Sequence, residues 1–112
     1  QYAYTRIASL LAKADRSPGD GVIVTHDAEQ LLALKILQFD EAILTYLEDY
    51  QANVICQYLY ELSARFMSFY EQCPVLSAEE STMGSRLLLA RLTADTLVKG
   101  LDLLGIKTVE RM

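Results

Sequence analysis

The chain has 112 residues, of which 52% are hydrophobic and 22% are charged, with a formal net charge of −5. This length and composition predict a single globular domain rather than a disordered segment. No apolar run approaches the roughly 20 residues that a membrane-spanning helix needs, so no membrane partner is expected. The excess of acidic residues argues that this chain does not bind nucleic acid through phosphate contacts alone, because proteins that do so carry a basic surface.

The negative charge is concentrated in one segment of the chain. Residues 27–49 contain six carboxylates against Lys35 alone, a net −5. The other segments nearly cancel, with +1 for 1–26, −1 for 50–78 and zero for 79–112. Any nucleic-acid contact is therefore expected to be local and to lie outside the acidic segment.

Cysteine and histidine usage limits the kinds of site that the chain could hold. Cys56 and Cys73 form no CxxC pair and no disulfide framework, which is typical of a reducing cytoplasm, and both are expected to be small core residues. With His26 as the single histidine, a structural zinc site is not expected. The chain starts at Gln1, inside a predicted helix and without a secretory leader, which predicts a fragment of a longer protein.

The first part of the chain predicts two helices and a loop. The first helix spans 2–14, and its apolar residues recur at spacings of three and four: Ile7, Leu10, Leu11 and Ala14. Turn chemistry rich in Gly and Asp ends this helix, and 15–26 is predicted to be a surface loop. A second helix is predicted to begin near Thr25 or Asp27, where Asp27 and Gln30 have the spacing of a capping box.

The second and third helices are each predicted to have a buried aliphatic side, and the third is predicted to have an acidic outer face. The second helix is expected to bury an aliphatic side: Leu31, Leu34, Ile36 and Leu37. A third helix at 40–50 is expected to turn its own aliphatic residues inward: Ile43, Leu44 and Leu47.

The last two helices have the clearest periodicity. A fourth helix at about 52–72, ended by Pro74, carries one continuous apolar stripe: Ile55, Leu59, Leu62, Phe66, Phe69 and Cys73. A fifth at about 81–104 has so wide an apolar arc that it is expected to pack on more than one side. Gly105 is placed like a helix C-cap. The chain is therefore predicted to be an all-α, single-domain bundle of about five helices.

The chain lacks the residue patterns of common catalytic sites. It contains no GxGxxG or Walker-type phosphate loop, no HExxH metal helix and no arguable Ser-His-Asp triad. His26 is expected to be a solvated residue at a helix start. No catalytic residue, metal or cofactor is therefore expected in these 112 residues.

The aromatic residues are the remaining candidates for a binding site. Three are expected in or beside the core: Tyr58, Tyr60 and Phe69. Tyr2 and Arg6 share a helix face, where they could stack on a base and bind a phosphate, or form an ordinary surface cation–π contact. Tyr70 is about 100° around the helix from the inward Phe69, so its ring is predicted at the surface or a rim.

Six strings match one family pattern in order. They are QYAYTRI, YLYELSARFMSFY, PVL, RLLLARL, GLDLLGI and the terminal ERM. Through these strings the chain resembles the all-helical C-terminal anticodon-binding domain, called DALR, of arginyl-tRNA synthetases. The resemblance implies that residues 1–112 form this domain at the C-terminus of a longer, cytoplasmic synthetase.

The same resemblance implies that tRNA binding and catalysis belong to separate domains of the parent enzyme. This domain would bind the anticodon stem-loop of arginine tRNA, with no DNA partner. A separate catalytic domain of the same chain would bind ATP with Mg²⁺ and attach arginine to the tRNA. The HIGH-type and KMSK-type motifs of that catalytic domain are absent here, so the fragment alone is expected to be non-catalytic.

Four residues of this sequence match family positions near the anticodon loop: Tyr2, Arg6, Tyr70 and Met112. The resemblance implies that Tyr2 and Arg6 face the loop, that unstacked bases pack on Tyr70, and that Met112 lies near the same pocket. Stacking of splayed loop bases on aromatic rings is a general mode of RNA recognition. Some family members have a Trp shortly after the Tyr70 position, where this chain has Cys-Pro-Val.

Two alternatives remain open at the level of sequence. The first is the same domain type from another synthetase, such as a cysteinyl or glycyl enzyme, which the ERM ending disfavours. The second is a helical module that docks a partner helix in an apolar groove, which the net charge of −5 favours.

Overall fold

The structure, a computed structural model, describes residues 2–14, 16–49 and 51–105, without the side chains of Tyr2 and Asp49. Five α-helices and no strand occur in these ranges, which confirms the predicted all-α bundle. The helices are α1 (Tyr2–Lys13), α2 (Asp27–Leu37), α3 (Phe39–Asp49), α4 (Ala52–Gln72) and α5 (Glu80–Leu103). No helix in the described part of the chain is long and apolar enough to cross a membrane.

Helices α4 and α5 form the centre of the bundle. Helix α4 contacts each of the other four helices, and α5 contacts α1, α2 and α4. The predicted stripe is confirmed, because all of its members are buried: Ile55, Leu59, Leu62, Phe66, Phe69 and Cys73. Helix α5 buries residues on several sides, including Leu87, Leu89 and Thr93, which confirms the expectation drawn from its wide apolar arc.

The ends of the two central helices follow from residues with special backbone chemistry. Helix α4 ends where the Cys73 amide donates to the Phe69 carbonyl at 2.8 Å and Pro74 has no N–H to continue the pattern. Beyond α5, Gly105 has a φ of 74°, a left-handed conformation that glycine adopts without strain. The predicted C-cap role of Gly105 is confirmed.

The predicted loop between α1 and α2 is present and lies on the first turns of α5. The Gly19 amide donates to the Gly84 carbonyl at 2.9 Å, and a Cβ at Gly19 would lie 3.1 Å from the Gly84 carbonyl carbon. The Ser85 hydroxyl accepts from the Ile23 amide at 2.8 Å and donates to the Ile23 carbonyl at 3.2 Å. The loop is therefore fixed to α5 by hydrogen bonds to the Gly84 backbone and the Ser85 side chain.

Helix α2 begins differently from the predicted capping box. His26 is the N-cap, and its Nδ1 accepts from the Ala28 amide at 3.0 Å. The carboxylate that reaches back over the helix start belongs to Glu29, which accepts from the Thr25 amide at 2.8 Å. The box predicted to start at Asp27 is wrong, because an imidazole takes the capping position. His26 is exposed, as expected for a solvated residue.

The predicted inner faces of α2 and α3 are largely wrong. Five leucines expected in the core are at least 45% exposed: Leu31, Leu34, Leu37, Leu44 and Leu47. Helix α2 buries Ala28, Glu29 and Leu32 instead, and α3 buries Phe39. Adjacent residues are about 100° apart on a helix, so Leu31 and Leu32 offered two different faces. The buried face also carries Glu29, whose burial is possible because this carboxylate is paired inside the bundle.

Two residues of α4 are also more exposed than predicted. Cys56 is exposed although Cys73 is buried, and Tyr60 is 72% exposed. Each follows directly after a buried residue of the stripe, Ile55 or Leu59, and is therefore turned about 100° away from the core.

Candidate nucleic-acid interface

Helices α1 and α4 bring together two of the four predicted site residues. The guanidinium carbon of Arg6 lies 5.2 Å from the centre of the Tyr70 ring, which is a cation–π distance. Both side chains are half-buried, so part of each remains in contact with solvent. The pair places a fixed positive charge beside an accessible aromatic ring.

The Tyr70 ring packs against the aromatic part of the core. Its centre lies 6.0 Å from that of the fully buried Phe66, at an interplanar angle of 31°. Phe66 in turn lies 5.8 Å from Phe69. Because the ring packs against buried aromatic side chains, its freedom to reorient is restricted.

A surface depression of about 390 Å³ adjoins this ring. Its walls come from the last turn of α4, the linker to α5 and one side chain of α1: Tyr70, Glu71, Pro74, Val75, Leu76, Ser77 and Leu10. Leu76 is 43% exposed, whereas Val75 is buried. A depression with one aromatic wall and several aliphatic ones has the chemistry to hold a planar, partly apolar group such as an unstacked base.

The other two predicted site residues are not placed by the structure. Tyr2 begins α1, one helical turn before Arg6, and its side chain lies outside the described residues. Met112 also lies outside the described residues. The described geometry therefore unites Arg6 with Tyr70 and leaves Tyr2 and Met112 as predictions.

Sequence reasoning missed a buried ion pair behind the depression. Arg86 of α5 donates through Nε to Glu29 Oε2 at 2.8 Å and through Nη1 to the Pro74 carbonyl at 2.7 Å. The Glu29 side chain is fully buried, and its second oxygen accepts from the amide and hydroxyl of Thr25 at 2.8 and 3.0 Å. The available signal was the spacing of Glu29 from Leu32, which puts a carboxylate on the buried face of α2.

The protonation of Glu29 reflects two opposing effects. Burial raises the pKa of this carboxyl, but the hydrogen bonds from Arg86 and Thr25 outweigh burial, and the net pKa is below 4.5. Glu29 is therefore ionised at neutral pH and provides the charge that Arg86 requires.

The remaining acidic residues of α2 and α3 are on the surface. Asp27, Asp40, Glu41 and Glu48 are all exposed, so Glu29 is the exception among the described side chains of the acidic segment. Within the described residues, no group of three or more His, Cys, Asp or Glu side chains could hold a metal ion.

Comparison with known proteins decides the family. The profile of the DALR anticodon binding domain matches residues 1–112, the whole chain. The chain belongs to the DALR anticodon-binding domain family. This membership agrees with the helical bundle, and it confirms the family resemblance carried by the sequence strings.

Relatives of this DALR domain are named as arginine–tRNA ligases. The arginine–tRNA ligase of Actinobacillus succinogenes is 52% identical over 115 residues, which cover 100% of this chain and 20% of the relative. That of Haemophilus ducreyi is 53% identical, with the same coverage. The chain thus spans about a fifth of the length of the curated relatives that it matches.

Solved structures show the same fold. Thermus thermophilus arginyl-tRNA synthetase superposes with a TM-score of 0.89 at 36% identity, over 99% of this chain and 20% of that chain. The arginyl-tRNA synthetase of Plasmodium falciparum superposes with a TM-score of 0.85 at 28% identity, with the same coverage.

Proposed function

We propose that this chain is the anticodon-binding domain of an arginine–tRNA ligase and binds the anticodon stem-loop of arginine tRNA. The observation that carries the proposal is the half-buried Tyr70 ring, with the Arg6 guanidinium 5.2 Å from its centre and a depression beside it. Sequence-specific proteins read RNA mainly in loops, where bases can leave their stack and pack against aromatic side chains.

Each group of the site has a distinct role in this proposal. One unstacked base packs on the exposed part of Tyr70 and enters the depression lined by Leu76. Arg6, whose guanidinium lies over the ring, pairs with a loop phosphate or a base edge. Tyr2 and Met112 are proposed to complete the same site. A base–aromatic stack contributes about 1–3 kcal/mol, so a few such contacts hold a loop without a basic surface.

The chemistry of aminoacylation is assigned to the rest of the ligase. ATP, Mg²⁺ and arginine are proposed to bind a catalytic domain of the same polypeptide, upstream of these residues and in the cytoplasm. That domain is a proposed partner of the present chain. The exposed leucines of α2 and α3, among them Leu37 and Leu44, provide apolar surface for such a contact.

A pair of tyrosine substitutions on one helix tests the proposal. Tyr70→Ala is expected to weaken binding of an arginine-tRNA anticodon stem-loop by about 1–3 kcal/mol, because one stacking surface is lost. Tyr60→Ala is the control, since Tyr60 is on the same helix and is 72% exposed outside the site. Titration of a fluorescently labelled stem-loop gives both affinities. Equal binding by wild type and the Tyr70 variant would contradict the proposal, as would no binding by wild type.

A further inference from the structure

The wall of the depression beside Tyr70 is held in place by Arg86, a residue that does not line the depression. Residues 74–77 form this wall, just beyond the end of α4. They begin with Pro74, whose nitrogen has no proton to donate. The Pro74 carbonyl accepts a hydrogen bond from Arg86, which is on α5 and has a side chain only 12% exposed. The linker is thus attached at its first residue to the interior of the bundle.

The orientation of Arg86 is itself fixed from α2. A guanidinium is planar, and its donors point in fixed directions, so bonds to Glu29 and Pro74 at the same time determine where the group lies. Glu29 cannot move to accommodate it, because its other oxygen accepts two hydrogen bonds from Thr25. A continuous chain of hydrogen bonds therefore runs from the α1–α2 loop to the linker.

We infer that Arg86, held by Glu29, is a positioning residue for base recognition and not a phosphate contact. An arginine in an RNA-binding domain is ordinarily expected to neutralise phosphate, but the Arg86 side chain is only 12% exposed and two of its five donors bind groups of the protein itself. By fixing Pro74, Arg86 sets the distance between the linker wall and the Tyr70 ring, and so the width available to a base. This inference rests on the proposed function.

Two variants separate positioning from phosphate binding. Arg86→Lys keeps the charge that pairs with Glu29 but replaces the planar fork with a single ammonium, which cannot reproduce both bonds in the same geometry. Arg86→Gln combined with Glu29→Gln removes both charges, so that no unpaired charge is left in the interior. Arg91→Lys, on the exposed side of the same helix, is the control.

The first measurement needs no RNA. In hydrogen exchange of the whole chain, the Ala78 amide reports on the linker, because it donates to the Val75 carbonyl at 3.2 Å. Arg86→Lys is expected to accelerate exchange at Ala78 by about tenfold, the loss of one hydrogen bond to a charged group. Arg91→Lys is expected to leave it unchanged. Unchanged exchange in Arg86→Lys would show that Arg86 does not hold the linker, whatever RNA the protein binds.

The second measurement uses an arginine-tRNA anticodon stem-loop and the same loop with its central anticodon base changed. Both Arg86 variants are expected to lose about tenfold in the ratio of the two affinities. The double glutamine variant should keep the wild-type dependence of affinity on salt concentration. A salt slope lowered by one phosphate, with the affinity ratio unchanged, would assign Arg86 to phosphate binding and overturn the inference. Absence of binding by wild type would instead contradict the proposed function.

Discussion

Two tyrosines of α4 each have a cation over the ring, in two regions of the molecule with different surroundings. Arg6 lies 5.2 Å from the centre of the Tyr70 ring, and Lys35 lies 5.0 Å from the centre of the Tyr58 ring. The two distances from cation to ring centre are nearly the same. They differ in burial and in the charges nearby.

The Tyr58 ring is buried, although Tyr58 and Lys35 also line a surface depression, of about 280 Å³. Tyr58 is 5% exposed, and its hydroxyl donates to the Lys35 backbone carbonyl. Lys35 also forms an ion pair with Glu61. Burial and the negative charge of Asp40 both raise the pKa of Tyr58 above its ordinary value, so the hydroxyl stays protonated.

The comparison shows that a ring beside a cation does not by itself define an RNA site. Both tyrosines line a depression, but the Tyr70 ring is half-buried, whereas the Tyr58 ring is buried and its hydroxyl donates to α2. Tyr58 and Tyr70 are twelve residues apart, or about 18 Å along the helix axis. We propose that this separation lets a chain of net charge −5 bind RNA locally at Tyr70.

The largest expected effect concerns the two rings themselves. Tyr58→Ala is expected to lower the free energy of unfolding by about 3–5 kcal/mol, because it removes a buried aromatic side chain. Tyr70→Ala should cost clearly less, since part of its ring already contacts solvent. Chemical denaturation of both variants gives the two values. Equal losses would show that Tyr70 is as much a core residue as Tyr58.

The dependence of stability on acid pH should differ between variants of Glu29, behind the depression beside Tyr70, and variants of Glu61, beside Tyr58. The pKa of Glu29 is lowered in the folded protein, so its ionisation stabilises the fold above the ordinary pKa of 4.5, and this contribution is lost as pH falls through the folded pKa. The slope of stability against pH below 4.5 should therefore be smaller in Glu29→Gln than in wild type.

Glu61→Gln is the control for that slope. Hydrogen bonds from Gln57 and Lys35 lower the pKa of Glu61, but its side chain is 45% exposed, so solvent weakens the effect. Its slope should stay close to that of wild type. The same slope for the two glutamine variants in thermal unfolding between pH 3 and 6 would contradict a stabilising ionisation of Glu29.

A smaller effect is expected from the cation at the site. Arg6→Ala should lower the dependence of stem-loop affinity on salt by about one phosphate, a slope change of about 0.7 to 0.9. Lys99→Ala, an exposed residue of α5, is the control. Affinities at four salt concentrations give the slopes. An unchanged slope for the Arg6 variant would mean that Arg6 makes no phosphate contact.

The smallest effect is expected from the exposed carboxylates of α3. Asp40→Asn and Glu41→Gln together should change stem-loop affinity by less than about twofold in 0.1 M salt. The screening length is then about 10 Å, shorter than the separation between the two tyrosines. A large gain in affinity would show that Asp40 and Glu41 lie beside the RNA.

Some of the fold could be predicted from sequence, and the reason differs between helices. Helix α4 has one uninterrupted stripe at alternating steps of four and three, so its buried face was unambiguous. Helix α2 has leucines on two sides, and its buried side also carries Glu29, whose partner Arg86 is 57 residues away. Periodicity holds no information about such a partner.

The candidate site shows the same limit. The family strings pointed to Arg6 and Tyr70, but their contact across 64 residues depends on how α1 packs against α4. The bond from Arg86 to Pro74 depends on the path of a linker, which no residue pattern specifies. Sequence therefore indicated which residues have the chemistry, and packing determined which of them meet.

The most direct test of the central claim is the affinity of this chain for two RNAs, measured at low and moderate salt. One is the anticodon stem-loop of arginine tRNA, and the other differs only in the central anticodon base. Loss of a stacked and hydrogen-bonded base should weaken binding at least about fivefold at both salt concentrations. Equal affinity for the two loops would contradict base-specific recognition by this domain.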